Sequence, residues 1–163
     1  MKATGIVRRI DDLGRVVVPK EIRRILRIRE GDPLEIYTGN DGEVILKKYS
    51  PIRDMSKIAK EFSEIAASIS GTAVMVSDTD HYIASAGNHD DNLTSSKIES
   101  DLDKIIQSKH RMTKETTAIF PIVVQGDPIG SITIVAKDQS KLKDSDIKIG
   151  EIGAKFLAKQ MDS

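Results

Sequence analysis

The most regular hydrophobic pattern in the chain lies between residues 54 and 70. Apolar side chains recur there at intervals of three and four residues, at Met55, Ile58, Ala59, Phe62, Ile65, Ala66 and Ile69. This spacing predicts an amphipathic helix, and Asp54 is placed to cap its amino end. Such a helix could pack in the core of its own domain. Alternatively, it could lie between the equivalent domains of two neighbouring subunits.

Downstream of this helix, the pattern alternates between strands and helices. Strands are predicted at 72–78 and 82–87, and a weaker helix ends near Gln107. Residues 117–137 predict a hairpin that turns at Gly126-Asp127-Pro128, and a last helix is predicted at 143–160. Helix, two strands, helix, two strands, helix is the order of an α+β domain, with an antiparallel sheet and flanking helices.

The first fifty residues predict short strands joined by tight turns. Residues 4–10 and the β-branched run 15–18 are strand candidates around a turn at 11–14, where Gly14 can adopt positive φ. Pro19 ends the second strand and suits the first position of a helix. Residues 33–49 then predict a hairpin around the turn 39–42.

The domain organisation follows from these elements. We expect a first domain at 1–50, a linker at 51–54 and a second domain at 55–163, since Ser50-Pro51 breaks the preceding strand. Below about 60 residues a domain is marginally stable without disulfides or metal. The first domain is therefore expected to exist as a homodimer.

Composition excludes several classes of protein. The chain has no cysteine, which removes disulfides, zinc–thiolate sites and cysteine nucleophiles. No apolar run approaches the roughly 20 residues that cross a bilayer, and the amino end lacks the apolar core of a secretory signal. We expect a cytoplasmic protein without membrane contact. Neither a nucleophile elbow nor a phosphate-binding loop occurs, so we expect no enzyme, no catalytic residues and no cofactor.

Charge is distributed unevenly along the chain, although the formal net charge is zero. Residues 1–29 hold nine basic and three acidic side chains, whereas residues 51–163 carry a net charge of −3. Such asymmetry predicts that the first domain faces a polyanion. The alternative is a solvated surface on which some arginines pair with Asp11, Asp12 or Glu21.

Arginine dominates the basic segment. Six arginines fall within residues 8–27: Arg8, Arg9, Arg15, Arg23, Arg24 and Arg27. The planar guanidinium pairs bidentately with phosphate or with guanine, and a helix or two-stranded ribbon fits the major groove of DNA. This pattern favours double-stranded DNA as the partner.

Residues 3–49 closely resemble the DNA-binding domain of the AbrB family of bacterial transition-state regulators. The resemblance is carried by TGIVRRIDDLGRVVVPKEIRRIL, IREGDPLEIY and EVILKKY. It implies an interleaved β-barrel in which two chains exchange hairpins. It also implies DNA contacts by Arg8, Arg15, Arg23 and Arg24, with Arg9 and Lys20 as neighbours.

The function implied by the AbrB resemblance is regulation of transcription from promoter DNA. In endospore-forming bacteria this means sporulation (forespore) genes, with the outcome being activation, repression or both. An antitoxin-like, protein-binding module is the alternative, because related swapped-hairpin dimers neutralise toxins. The folded pattern after residue 50 argues against that alternative, since an antitoxin uses a disordered tail.

The second domain resembles a GAF-type sensor domain through its element order and the stretch FPIVVQGDPIGSITIVA. The resemblance implies either binding of a small molecule or oligomerisation, and a homotetramer built through this domain is expected. The signature of cyclic-nucleotide-binding members is not evident. A plain hairpin also accounts for the quoted residues.

Three histidines are candidate metal ligands: His81, His89 and His110. A spacing of eight residues between the first two matches no compact helical or hairpin pair of ligands. We expect solvated loop residues and no metal site.

Overall fold

The chain forms two units, Met1–Tyr49 and Ser50–Ser163, in a computed structural model that describes residues 2–87 and 93–162. The predicted domain limits at 50 and 55 stay a prediction. The predicted linker, 51–54, lies within a 3-10 helix at Pro51–Met55, and Ile52 is fully buried in the core of the second unit.

The first unit contains a short helix and a hairpin. Helix α1 spans Lys20–Ile25, so the predicted helix forms, but Pro19 is its N-cap and not its first residue. Strands β1 (Leu34–Thr38) and β2 (Val44–Lys48) pair antiparallel with Thr38 opposite Val44, which confirms the predicted hairpin. Gly42 in its turn has a φ of +80°, a conformation that glycine adopts without steric cost.

The strands predicted at 4–10 and 15–18 do not form in the single chain. Within the described residues neither stretch joins a sheet, and the β1–β2 pair is the complete sheet of this unit. A strand needs a neighbouring backbone to accept and donate its hydrogen bonds. The β-branched residues of both stretches consequently lie outside any sheet of the single chain.

The second unit is built on a five-stranded antiparallel sheet. Its strands are β3 (Ala73–Ser77), β4 (Tyr82–Ala86), β5 (Met112–Thr113), β6 (Thr117–Val124) and β7 (Asp127–Val135), in the spatial order β4-β3-β7-β6-β5. Helices α2 (Ser56–Ser70), α3 (Ser100–Ser108) and α4 (Asp144–Met161) flank it. This confirms the α+β class with an antiparallel sheet and flanking helices.

The two faces of the sheet carry different cores because side chains alternate along each strand. Phe120 and Ile122 of β6 pack in the cluster covered by α2 and α4. Ile119, the residue before Phe120, packs with Leu102 and Ile106 of α3 on the opposite face. The sheet is thus a central layer with α2 and α4 on one side and α3 on the other.

Three local predictions differ from the structure. The N-cap of α2 is Met55 rather than the predicted Asp54, and the helix begins at Ser56, because the chain first winds into the 3-10 helix that starts at Pro51. The β6–β7 turn is Gln125-Gly126, not 126–128: both residues have positive φ, as a two-residue hairpin turn requires, and Asp127 already belongs to β7. The two-residue strand β5 was not predicted.

Asp78 ties the start of the second unit to the end of β3. Its side chain is 3% exposed, and its Oδ2 accepts hydrogen bonds from Arg53 Nε at 2.8 Å and Ser50 Oγ at 3.1 Å. Its Oδ1 accepts from the backbone N–H groups of Asp80 and His81, each at 2.7 Å. One buried carboxylate therefore anchors both the β3–β4 turn and the first residues after Tyr49.

Candidate nucleic-acid interface

The six predicted DNA-contacting residues all lie exposed on the first unit. We call the segment that carries them, residues 8–24, the basic stretch; its members are Arg8, Arg9, Arg15, Lys20, Arg23 and Arg24. Arg8 and Arg9 lie in segment 4–10, which pairs with no strand, and Arg15 follows the turn at 11–14. The structure brings Lys20, Arg23 and Arg24 together on α1, since residues three and four apart share one side of a helix.

Residues 11–15 form a tight loop that fixes the position of Arg15. The Asp11 carboxylate organises this loop: its Oδ1 accepts from the N–H groups of Leu13 at 3.0 Å and Arg15 at 2.8 Å. Backbone bonds close the loop from Asp11 N to the Arg15 carbonyl and from Gly14 N to the Asp11 carbonyl. Gly14 has a φ of +78°, the left-handed conformation that lets the chain reverse here.

The same carboxylate also fixes the Arg15 side chain. Arg15 Nε donates to Asp11 Oδ2 at 2.9 Å, while the Arg15 side chain remains 72% exposed. The hydrogen bond from the backbone N–H of Arg15 is the largest cause that holds the pKa of Asp11 below its ordinary value. Arg15 thus pairs with an acid, as the solvated-surface hypothesis required, yet its guanidinium still faces solvent in a defined position.

Helix α1 orients the second basic group. Pro19 precedes its first residue and its carbonyl accepts from Arg23 N at 3.0 Å. Arg23 Nε donates to the carbonyl of Val18 at 3.1 Å, so this arginine is also held at its base by the backbone. Cations in the last turn favour the negative end of the helix dipole.

The first unit has almost no interior of its own. Among the described residues 2–49, Pro19 is the one residue classed as buried. Large apolar side chains instead face solvent, with Val7 84% and Val44 70% exposed, together with Ile10, Leu13, Val16, Val17, Ile25, Leu26 and Ile36. We call these nine side chains the exposed apolar surface; four of them, Ile10, Leu13, Val16 and Val17, are interspersed along the chain with the cations of the basic stretch.

The role of Asp11 in the loop is not among the predictions made from the sequence, where Asp11 counts only as one of three possible counter-charges. The pattern Asp-x-x-Gly-Arg nevertheless contains a signal. An Asp side chain hydrogen-bonds backbone N–H groups a few residues ahead, and Gly supplies the positive φ that such a loop needs. The combination predicts a loop with its carboxylate turned inward.

The histidines take different places. His81 Nδ1 lies 2.9 Å from Arg53 Nη2, beside Asp78, and His110 is exposed after α3. His89 lies outside the described residues. Within residues 2–87 and 93–162, no three His, Asp or Glu side chains converge as metal ligands. In the same part of the chain, no helix combines the length and apolarity needed to cross a membrane.

Comparison with known proteins links both units to bacterial regulators. Residues 54–162 match the family described as "Stage V sporulation protein T C-terminal, transcription factor". Residues 7–54 match "Antidote-toxin recognition MazE, bacterial antitoxin". The chain is 44% identical over 178 residues to stage V sporulation protein T of Bacillus subtilis (strain 168), a match that covers 99% of each chain.

Shorter similarities concern the single units. The transition state regulatory protein AbrB of Bacillus subtilis is 63% identical over 51 residues, covering 31% of this chain and 52% of AbrB. A solved structure, the second GAF domain of DevS from Mycobacterium smegmatis, is similar with a TM-score of 0.56 at 10% identity, over 65% of this chain and 91% of that one. At that identity the likeness concerns the fold alone, and it agrees with the predicted GAF-like architecture.

Proposed function

The chain belongs to the stage V sporulation protein T family, and we propose that it binds promoter DNA through the basic stretch of its first unit. It is a DNA-binding regulator of sporulation transcription, which activates or represses forespore genes. The observation that carries the DNA-contact proposal is the set of six exposed cations within residues 8–24. A protein that works on promoters acts in the cytoplasm.

The exposed apolar surface supports a dimeric first unit. Covering one Val, Leu or Ile side chain contributes about 1.5–3 kcal/mol, so leaving nine such side chains in water is costly. We propose that a second copy supplies the missing strand partners for 4–10 and 15–18 as well as the cover. Both copies then form one swapped-hairpin β-barrel that presents two basic stretches.

A further apolar face on the second unit supports a tetramer. Helices α2 and α4 lie side by side, with Phe62 next to Gly153. Their outer sides expose Ile65 and Ile69 on α2, and Ile152 and Phe156 on α4. We propose that this face pairs with its equivalent in a second dimer. Two DNA-binding dimers would then share one assembly, which raises the effective concentration at neighbouring sites.

The geometry of the basic stretch favours recognition of DNA shape. Arg15 and Arg23 are each held by their Nε atoms, which leaves the outer nitrogens of the guanidinium free to reach phosphate or base edges. A pre-set side chain loses less conformational entropy on binding than one in a flexible tail. We propose a loose consensus with preference for deformable A·T-rich sites, because phosphate contacts position the protein without reading bases.

Salt-dependent DNA binding tests the assignment. In the full chain, alanine replaces one arginine at a time: Arg8, Arg15, Arg23 or Arg24. Lys148→Ala on α4 is the matched control. DNA recognition predicts that log affinity falls linearly with log salt, with a slope of about −0.9 per phosphate contacted. Loss of a phosphate contact flattens the slope, and loss of a base contact relaxes specificity by about 1–3 kcal/mol.

The antitoxin-like function is a second candidate because residues 7–54 match an antitoxin family. In that case a toxin protein, rather than DNA, would engage the first unit or the segment after it. The folded second unit argues against a toxin-binding tail. An affinity for DNA that changes neither with salt concentration nor with the four arginine substitutions would favour this candidate over the regulator. A randomised-site selection that enriches no sequence would favour it as well.

A further inference from the structure

A groove of about 490 Å³ lies on the second unit between α4 and the sheet edge formed by β5 and β6. Its volume falls within the range of small-molecule sites, about 300–1,000 Å³. Phe120 and Pro121 of β6 form one apolar wall, and Ala154 and Ala158 of α4 form the other. The two alanines, one helical turn apart, leave the space that longer side chains would fill.

Cations lie around these apolar walls. Lys109 and Arg111 lie on the loop after α3, and Lys155 projects from α4. Glu151 is the one acid among the lining residues, and it contacts Arg111 at 3.5 Å and Lys155 at 3.3 Å. Three cations and one carboxylate leave the groove positive, although residues 51–163 as a whole carry a net charge of −3.

The loop that carries two of the cations has a defined shape. Lys109 ends α3 with a φ of +63°, a conformation that non-glycine residues seldom adopt. The Ser108 hydroxyl donates to the carbonyl of Ile105 at 2.7 Å and accepts from His110 N at 3.2 Å. This arrangement directs the residues after the helix to the rim of the groove.

We propose that the groove binds a small organic anion with an apolar body. Its carboxylate or phosphate would pair with Lys155 and Arg111 at the rim. Its hydrocarbon part would contact the apolar walls at Phe120, Ala154 and Ala158. A single anion is attracted by the local cations, whereas a DNA duplex also meets the excess negative charge of this unit. The groove thus forms a ligand site at the edge of the second unit's sheet, whereas the basic stretch belongs to the first unit.

Alanine methyl resonances of the full chain provide a direct test, because two of the wall residues are alanines. The probes are hexanoate, hexyl phosphate and the neutral hexanol. We expect both anions to shift the Ala154 and Ala158 methyls saturably, with hexanol at least about 10-fold weaker, since it lacks the charge-assisted hydrogen bond. Ala59, a buried residue of α2 that does not line the groove, should not shift.

Two charge reversals on α4 separate the site from general electrostatics. Lys155→Glu should weaken anion binding about 10-fold or more, whereas Lys148→Glu, the same change outside the groove, should alter it less than about twofold. Lys155→Met removes the cation while keeping the stem, and should also weaken binding. Unchanged resonances of the remaining alanines establish that each variant is folded.

Several outcomes would overturn the proposal. Silence of both groove methyls at tens of millimolar anion would do so, and so would equal binding of hexanol or equal effects of the two charge reversals. Shifts that follow dilution of the protein would identify a second copy as the occupant, and shifts caused by duplex DNA would identify nucleic acid. Arg15→Ala should retain anion binding, which keeps this result independent of the proposed DNA contacts.

Discussion

Replacing Asp78 by alanine should destabilise the second unit through one buried carboxylate. The change removes four acceptor contacts at once: two from the side chains of Arg53 and Ser50, and two from backbone N–H groups in the β3–β4 turn. Alanine offers no replacement acceptor. Ser50 and Arg53 then lose their hydrogen bonds to the end of β3, although the contact of Arg53 with His81 and the apolar core around Ile52 remain.

The size of the effect follows from the exposure of each partner. A hydrogen bond to a charged group contributes about 1.5–3 kcal/mol, but water can replace part of it when the donor is half exposed, as Arg53 is. The two backbone donors and Ser50 are partly buried and lose more. Because such terms are not additive, we expect Asp78→Ala to lower the free energy of unfolding by about 2–4 kcal/mol. Asp78→Asn keeps one acceptor oxygen and should lose about half as much.

Native-state hydrogen exchange of the β3 and β7 amides measures this loss in the second unit alone. At a fixed protein concentration, Asp78→Ala should accelerate exchange about 30- to 1,000-fold, since each 1.4 kcal/mol is a factor of ten. Asp127→Ala, in the exposed start of β7, serves as the control and should stay within about 0.5 kcal/mol of the parent. Exchange that accelerates less than about threefold in Asp78→Ala, or equally in both variants, would refute the anchoring role.

Three further predictions concern other parts of the chain. The pKa of Asp11 lies below 3.8, so its contribution to loop stability is present above that value and is lost as the pH falls through the lowered pKa; a carboxyl-carbon NMR titration with a midpoint at or above 3.8 would contradict this. Burial, and next the hydrogen bond to Glu99, raises the pKa of Tyr82 above 10.0, so stability is lost as the pH rises through the raised pKa. Ultraviolet titration should show one tyrosine that ionises only on unfolding, and Tyr82→Phe should abolish that late step. Gly153→Ala places a methyl group against Phe62 and should destabilise α4 packing by about 1–3 kcal/mol in a urea melt, although alanine is the better helix former; unchanged stability would disprove the close packing.

Much of the second unit was predictable because its signals are local and periodic. The three- and four-residue spacing from Ile58 to Ile69 specified α2, and β-branched runs specified β3, β6 and β7. The exact start of α2 was missed because Pro51 favours a tighter turn before the helix. Strand β5 was missed because two residues are too short for any period to show.

The polar contacts were less accessible to sequence analysis. Asp11 and Arg15 lie four residues apart, so a local motif could have indicated their pairing. Arg53 and Asp78 are separated by 25 residues, and no periodicity links them. The groove cations pose the same difficulty, since Arg111 and Lys155 are 44 residues apart in the sequence and line one groove only once α4 has packed beside β6.

Pro19 alone is hidden among residues 2–49, and this has a quantitative consequence for the cell. If two first units pair as proposed, this segment acquires a core only when two chains meet. The concentration of dimer would then rise with the square of the chain concentration when chains are scarce. Promoter occupancy would therefore require a threshold concentration of the chain, below which chains accumulate without occupying any promoter.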